Sequence, residues 1–267
     1  MADLRIFSYL PNPRLYKSTI AARLTGVELE IRGASPKELK DWLWDFDARP
    51  LSAEDRSHGE WLRESRAGFS GTLYKTDEFL RANPFGTVPV AFSPDGSVGI
   101  FESNAMMRAV ARLGRSGPPL YGSDLYTAAR IDAFLDASLI FARDSQRYLF
   151  GLMGKGLSQE LHDDMAQAFS TYLGGVETAL GSKPPFLLGE NMTLADICFA
   201  AELVLFALSR TAPERIEAAG CGVIFDDSVT DTFPLAMHHF DRLLAHRAFT
   251  PDLTPYYTNM TLKKFLS

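Results

Sequence analysis

Residues 83–90 read NPFGTVPV, and a proline stands at the point where a strand begins. Val88, Val90 and Phe92 alternate with other residues, as they do in a half-buried strand. Since proline cannot donate a ladder hydrogen bond, Pro89 belongs at the first residue or the edge of a strand. Two interpretations stay open: an ordinary entry from loop to strand, or a cis Val88–Pro89 bond that exposes the backbone N–H and C=O of Val88 to a ligand.

The residues after this stretch predict a β-hairpin followed by a helix. A turn at 93–97, SPDGS, separates the apolar run that begins at Val88 from a second short strand at 98–101. A helix is then predicted over 102–113, because its apolar residues recur at i, i+3, i+4 and i+7, as on the core-facing side of a helix. Those apolar residues are Met106, Ala109, Val110 and Leu113.

The first residues of the chain predict a strand, a helix and a second strand. Residues 4–9, LRIFSY, have the composition of a strand, and the prolines that follow end it. The segment 15–26 is typical of a helix that stops at Gly26, and 27–31, VELEI, alternates like a strand. A crossover this short places its two strands parallel, so residues 1–115 predict a βαβ-ββα domain.

Residues 34–82 interrupt this pattern with a segment too long for an ordinary connection. The segment contains Trp42, Trp44 and Trp61 among many charged residues. Since a structureless loop of this length is uncommon inside a domain, we expect short helices and a functional or lid-like segment here.

A Gly- and Pro-rich stretch at 113–123 separates the first domain from a helical one, predicted over 122–267. Thr193 and Asp196 form a capping-box pattern, with Asp in the place of Glu, at the start of an almost wholly apolar helix. The expected architecture is therefore an α+β domain followed by an all-α domain. The clearest helical segments of the second domain are 161–180, 193–209 and 233–249.

Composition limits the partners of the chain. Its formal net charge is −6, which does not suggest a nucleic-acid or an anionic-membrane partner. No apolar run is long enough to cross a membrane, and the N-terminus has no signal-peptide pattern. Two cysteines without a CxxC spacing fit a reducing compartment, so a cytoplasmic location is expected. His238, His239 and His246 lack the spacing of a metal motif, so no metal site is predicted.

Three ordered motifs of this chain resemble those of soluble glutathione transferases. They are FLRANPFGTVPVAF at 79–92, GIFESNAMMRAVARLG at 99–114 and FLLGENMTLADICFAAEL at 186–203. The resemblance covers most of the chain and implies a thioredoxin-like, glutathione-binding domain at 1–115 and a helical bundle at 122–267. Within the family, 7–31 looks most like the transferase-like domain of elongation factor 1-gamma and its bacterial relatives. The segment 34–82 is longer than the family pattern.

The resemblance also implies a site for glutathione, used as co-substrate. Val88 would pair its backbone with the cysteinyl part, and Pro89 would supply the cis bond that permits this. The carboxylate of Glu102 would take the ammonium of the γ-glutamyl end. The N–H and hydroxyl of Ser103, at the start of a helix, would take the α-carboxylate, as helix N-termini bind anions. From spacing alone, capping is the favoured interpretation of Glu102, Ser103 and Asn104, and it is the family motif that favours the ligand site.

The group that contacts the thiolate stays open among Tyr9, Ser8 and Asn12. Lowering the pKa of a thiol from about 8.5 to about 6.5 needs roughly 2.7 kcal/mol, the size of one or two good hydrogen bonds. Tyr9 aligns with a tyrosine of the factor-like branch, and Ser8 would serve as in serine-type transferases. Ser8 and Tyr9 point to opposite faces of a strand, so one of them at most faces the sulfur. Arg14 and Lys17, early in the first helix, would add positive charge near the thiolate, although such residues are more often solvated and solvation is the expectation here.

Three functions follow from this resemblance. The first is a homodimeric, cytoplasmic glutathione transferase that joins glutathione to small hydrophobic electrophiles in detoxification. The second is a non-catalytic protein-interaction module like the transferase-like domain of elongation factor 1-gamma, although no additional C-terminal domain is expected here. The third is a glutathione-dependent lyase or reductase that would use the same site.

Overall fold

The computed structural model of the protein describes residues 2–65, 69, 71–182 and 184–260. The chain divides into two units, Met1–Gly117 and Pro118–Ser267, and the division falls within the Gly- and Pro-rich stretch. The domain limits given above remain predictions, and the last seven residues of the predicted helical domain lie outside the described residues.

The first unit contains eight strands and three α-helices in its described residues. The strands are β1 (Leu4–Tyr9), β2 (Leu29–Ala34), β3 (Trp42–Trp44), β4 (Arg49–Pro50), β5 (Leu62–Glu64), β6 (Thr72–Lys75), β7 (Val90–Phe92) and β8 (Gly99–Phe101). The helices are α1 (Pro13–Thr25), α2 (Asp77–Ala82) and α3 (Ser103–Leu113).

The central sheet has the strand order β2-β1-β7-β8. β1 and β2 are parallel, and α1 connects them as predicted. The α1 helix begins where the Asn12 side chain accepts a hydrogen bond from the Arg14 N–H, and it ends at Gly26 with φ 70°. β7 is antiparallel to both β1 and β8, which confirms the predicted hairpin. The predicted βαβ-ββα order is therefore present.

The two faces of the central sheet carry different cores, since side chains alternate along a strand. On one face Ile6 packs with Leu15, Ala91 and Met106, the last of these from α3. On the other face Phe7 belongs to a cluster that we call the aromatic core. Its buried members are Phe7, Leu39, Trp44, Ala48, Leu73, Phe79, Val90 and Phe92.

The aromatic core is closed by a second four-stranded sheet, of order β4-β3-β6-β5, which the sequence did not predict. The predicted short helices are present as three 3₁₀ turns, at Glu38–Asp41, Asp55–Ser57 and Gly59–Trp61. The strands were missed because they are only two to four residues long and show no clear alternation. Residues 66–68 and 70 of this segment lie outside the described residues.

The second unit is helical throughout its described elements, as predicted. Its helices are α4 (Leu125–Phe150), α5 (Gln159–Leu180), α6 (Leu194–Phe206), α7 (Pro213–Ala218), α8 (Val229–Thr232), α9 (Pro234–Leu244) and α10 (Leu253–Thr258). Every residue of α6 is buried, and its predicted capping box between Thr193 and Asp196 is present. Asp196 also accepts a hydrogen bond from buried His239 at 2.9 Å. In the part of the chain that the structure describes, no helix has the length and apolarity to span a membrane.

Candidate functional site

The pairing of β1 with β7 brings Tyr9 to the predicted cis-proline segment. Phe7 lies opposite Val90 in this antiparallel ladder. This is the last pair of the ladder, so Tyr9, two residues further along β1, and Val88, two residues before Val90, both lie just beyond the same end of the paired strands. Consistent with this, the side chains of Tyr9 and Val88 both pack against the aromatic core.

The pairing of β7 with β8 brings the start of α3 to the same edge. Val90 lies opposite Phe101, and Pro89 and Glu102 are the next residues of the two chains beyond this last pair. Three segments that are far apart in sequence thus end side by side. Tyr9, Val88 and Glu102 therefore lie at or just beyond the same end of three neighbouring strands.

The Val88–Pro89 peptide bond is cis, as the second of the two interpretations predicts, while pairing of the Val88 backbone with a ligand stays a prediction. Among the described residues, neither the N–H nor the C=O of Val88 has a hydrogen-bond partner. The loop before it is held by other groups, since the Asn83 side-chain amide donates to the Thr87 carbonyl at 2.6 Å. The Val88 backbone is therefore available to pair with an extended ligand. A second cis bond, Leu10–Pro11, was not predicted.

A buried lysine of the second sheet holds the same loop from behind. Lys75 on β6 donates to the Gly86 carbonyl at 2.7 Å, and its Nζ lies 4.7 Å from the centre of the Trp44 ring. Gly86 has φ +59°, and a Cβ there would come within 3.2 Å of the Lys75 Nζ. The backbone conformation therefore favours glycine, and a side chain at this position would also crowd Lys75. Sequence reasoning did not find this contact, which joins the second sheet to the candidate site.

Glu102, immediately before α3, has φ 67° and is the one non-glycine residue with a positive φ in the described part of the chain. Such a conformation costs on the order of 1–3 kcal/mol and is concentrated at functional sites. Its side chain is exposed and does not cap the helix, and its carboxylate has no hydrogen bond or ion pair with any described residue. Capping therefore does not account for Glu102.

Lys17 contradicts the expectation of a solvated side chain, because it is 0 % exposed. Its Nζ donates to the Asn104 Oδ1 at 2.8 Å and to the Ser103 Oγ at 3.3 Å. The sequence pattern gave no signal for this burial, because it arises where α3 packs against α1. The side chains of Ser103 and Asn104 are buried as well.

The three candidates for contact with a thiolate have different surroundings. Ser8 is fully buried; its hydroxyl donates to the Tyr9 carbonyl at 2.8 Å and accepts from the Asn12 amide at 3.0 Å. Asn12 is also fully buried, and its Oδ1 accepts from the Arg14 N–H at 3.0 Å. Tyr9 lies on the opposite face from Ser8, as predicted, and its side chain is only half-buried. Which of the three contacts a thiolate stays a prediction.

Curated relatives of this sequence are elongation factors 1-gamma, and no family model matches the chain. The chain is 37 % identical over 137 residues to elongation factor 1-gamma 1 of Oryza sativa subsp. japonica, a match to 51 % of this chain and 32 % of that protein. It is 32 % identical over 185 residues to probable elongation factor 1-gamma 1 of Arabidopsis thaliana, covering 68 % of this chain and 40 % of that protein. The chain spans about a third of the length of the first of these relatives.

Solved structures with a similar fold are glutathione transferases. One from Methylobacterium radiotolerans, in complex with glutathione sulfonate, has a TM-score of 0.62 at 19 % identity, with 94 % of each chain covered. A delta-class transferase of Nilaparvata lugens has a TM-score of 0.65 at 16 % identity, with 98 % of each chain covered.

The fold is therefore that of the glutathione transferases, a thioredoxin-like domain followed by a helical domain, as predicted. Within this fold the chain is close in sequence to elongation factor 1-gamma.

Proposed function

We propose that the protein is a glutathione transferase that binds glutathione at the edge formed by Val88, Pro89, Glu102 and Ser103. The observation that carries the proposal is the cis Val88–Pro89 bond with its unpaired Val88 backbone, set beside the strained and exposed Glu102. A similar fold in complex with glutathione sulfonate, and another with glutathione bound, support glutathione as the ligand.

Each part of glutathione has a matching group in this proposal. The Val88 N–H and C=O pair with the cysteinyl backbone, as a neighbouring strand would. The Glu102 carboxylate binds the γ-glutamyl ammonium, because it is exposed and holds no other described cation. The first N–H groups of α3 and the Ser103 hydroxyl bind the α-carboxylate, where the helix dipole favours negative charge.

Activation of the thiolate is assigned first to Tyr9. Its side chain keeps exposed surface next to Val88, whereas Ser8 and Asn12 are fully buried and already bonded to each other. A hydrogen bond from the Tyr9 hydroxyl stabilises the charged sulfur more than the neutral thiol, which lowers the thiol pKa. The lowered pKa raises the thiolate fraction for attack on a small hydrophobic electrophile. Ser8 and Asn12 remain the alternatives.

A homodimer in the cytoplasm completes the proposal. On α4 the side chains of Leu139 and Ile140 are 40 % and 63 % exposed, and α4 and α5 border a groove of about 610 Å³. A second copy of the chain that covers the exposed side of α4 would remove apolar surface from water.

Both described cysteines, Cys198 and Cys221, are free, as expected in a reducing compartment.

A non-catalytic interaction module is the second candidate function, because the curated relatives are elongation factors 1-gamma. Lyase or reductase chemistry with glutathione would use the same residues and would be recognised by its products.

Calorimetric titration of the full chain with glutathione tests the proposal. We expect binding that Ser103→Ala and Glu102→Gln weaken, and that Ser116→Ala, an exposed serine after α3, leaves unchanged. Turnover of an activated aryl halide should then fall in Tyr9→Phe while glutathione binding persists, with Ser8→Ala and Asn12→Ala compared in the same assay. A folded protein that binds no glutathione would contradict the transferase and favour the interaction module.

A further inference from the structure

Lys17 is a charged side chain in the interior of the first unit, directly behind the start of α3. It is 0 % exposed, and it reaches from α1 to two side chains that lie 86 and 87 residues later in the chain. Lysine is almost never fully buried unless its ammonium has acceptors. Here two of those acceptors are the Asn104 Oδ1 at 2.8 Å and the Ser103 Oγ at 3.3 Å.

The contact with Lys17 determines what the Ser103 hydroxyl can do. An ammonium has three donors and no acceptor, so the Ser103 oxygen must accept from it. The Ser103 proton then has to point to a different acceptor. In the described parts of the chain, no other side-chain hydrogen bond of Ser103 is formed. Ser103 is the first residue of α3, where backbone N–H groups are also without helical partners.

We propose that Lys17 is a positioning residue for the γ-glutamyl carboxylate of glutathione. By occupying a lone pair of Ser103, Lys17 turns the hydroxyl proton toward the bound carboxylate. Its charge also strengthens that hydrogen bond, as charge assistance does in a low-dielectric interior. This inference rests on the proposed function, since it concerns recognition of the same ligand.

A purely structural role for Lys17 makes a different prediction. If Lys17 only connects α1 to α3, its loss disturbs the whole candidate site and weakens the binding of every ligand by a similar factor. If Lys17 acts through Ser103 on the carboxylate, its loss weakens the binding of only those ligands that carry this carboxylate. The two roles are therefore separated by changing the ligand as well as the protein.

The test is a calorimetric titration with two ligands, glutathione and 4-aminobutyryl-cysteinylglycine, which has hydrogen in place of the γ-glutamyl α-carboxylate. We expect Lys17→Met to weaken glutathione binding about ten- to a hundredfold, and to leave binding of the second ligand within about twofold. Lys17→Arg, which keeps the charge and the donors, should restore most of the glutathione affinity.

Lys75→Met is the matched control, because Lys75 is the other buried lysine near the site and contacts Gly86 rather than Ser103. Lys75→Met should weaken the binding of both ligands by a similar factor. If Lys17→Met fails to fold by its thermal unfolding curve, Lys17→Gln takes its place, since Gln keeps a neutral donor.

Two results would overturn the inference. One is a Lys17 variant that weakens both ligands equally, and the other is a folded variant with unchanged glutathione affinity. Wild-type protein that binds neither ligand contradicts the proposed function itself. Wild-type protein that binds glutathione, with no ligand-dependent effect at Lys17, contradicts only the role of Lys17.

Discussion

The first unit contains two four-stranded sheets that are built in opposite ways. In the central sheet β1 and β2 are six residues long each and pair along their whole length. In the second sheet the strands have two to four residues. This sheet packs on the central sheet through the large side chains of the aromatic core. The central sheet presents the backbone edge of the candidate site, and the second sheet supports that edge from behind.

Two side chains of the second sheet carry this support. Trp44 packs edge-on against Phe7 of β1 at 5.4 Å and against Phe79 of α2 at 6.0 Å between ring centres. Lys75 binds the Gly86 carbonyl of the loop before Val88. A sheet with few ladder hydrogen bonds of its own thus holds the loop of the candidate site through one aromatic core and one buried charge.

Removal of the Trp44 ring should have the largest effect on this arrangement. Trp44 is almost fully buried, and its indole N–H donates to the Leu39 carbonyl at 3.0 Å. We expect Trp44→Ala to lower the free energy of unfolding by about 3–5 kcal/mol, measured by denaturant titration. Trp61→Ala is the control, because Trp61 is partly exposed and should cost about 1 kcal/mol or less. Equal losses at the two positions would mean that the second sheet does not share a core with the central one.

Lys75→Met should have the next largest effect, and mainly on the ligand. The variant leaves the Gly86 carbonyl without its buried donor, so the loop relaxes. A lost charge-assisted hydrogen bond of about 1.5–3 kcal/mol predicts glutathione binding weaker by roughly tenfold or more. Calorimetry on folded protein measures this, with Lys75→Arg as the variant that keeps the charge. Unchanged affinity would show that the central sheet positions its loop without the second sheet.

The Arg49–Asp55 ion pair, at β4 of the second sheet, predicts that the free energy of unfolding depends on pH. The hydrogen bond from the Arg49 guanidinium, with those from Ser52, lowers the pKa of the Asp55 carboxyl well below its usual range. A lowered folded pKa stabilises the protein above the unfolded pKa of about 3.9, and that contribution is lost as the pH falls below it.

Asp55→Asn should therefore lower the free energy of unfolding by about 1 kcal/mol near neutral pH, because one side of the pair is buried. The difference from wild type should shrink when unfolding is measured at pH values below about 4. A difference that stays constant down to acid pH would contradict the assigned cause.

The smallest effect on stability is expected at the edge of the central sheet, at Glu102. Glu102→Gly relieves the positive φ but adds the entropy of glycine to the unfolded chain, so the two effects offset each other. The free energy of unfolding should change by less than about 1 kcal/mol, while glutathione affinity falls. Glu102→Gln keeps the backbone strain of the wild type and loses the charge, so a thermal unfolding experiment should show a similarly small change in stability.

Much of the central sheet and its helices could be predicted because the signals are local. The β1 strand was predicted with its observed bounds, and α1 has its cap at Asn12 and its stop at Gly26. The cis bond before Pro89 was one of two interpretations from residues within the same short stretch. The site residues Val88, Glu102 and Ser103 came from the family motifs rather than from spacing.

The second sheet and the buried lysines could not be predicted in the same way. β3 pairs with β6 across a long, charged segment, and neither strand is long enough to show a period. Lys17 looks like an ordinary helix-surface residue until α3 packs against α1 and removes it from water.

The sequence by itself determined the elements of the central sheet and the longer helices, because periodicity, caps and turns act between residues a few positions apart. Only the tertiary structure decided which of those elements share an edge, and which charges lie beneath it. Register between strands and burial of Lys17 and Lys75 depend on contacts between residues far apart in the chain. A local sequence pattern does not show such contacts, because the free energy that stabilises them comes from packing between segments that are distant in the sequence.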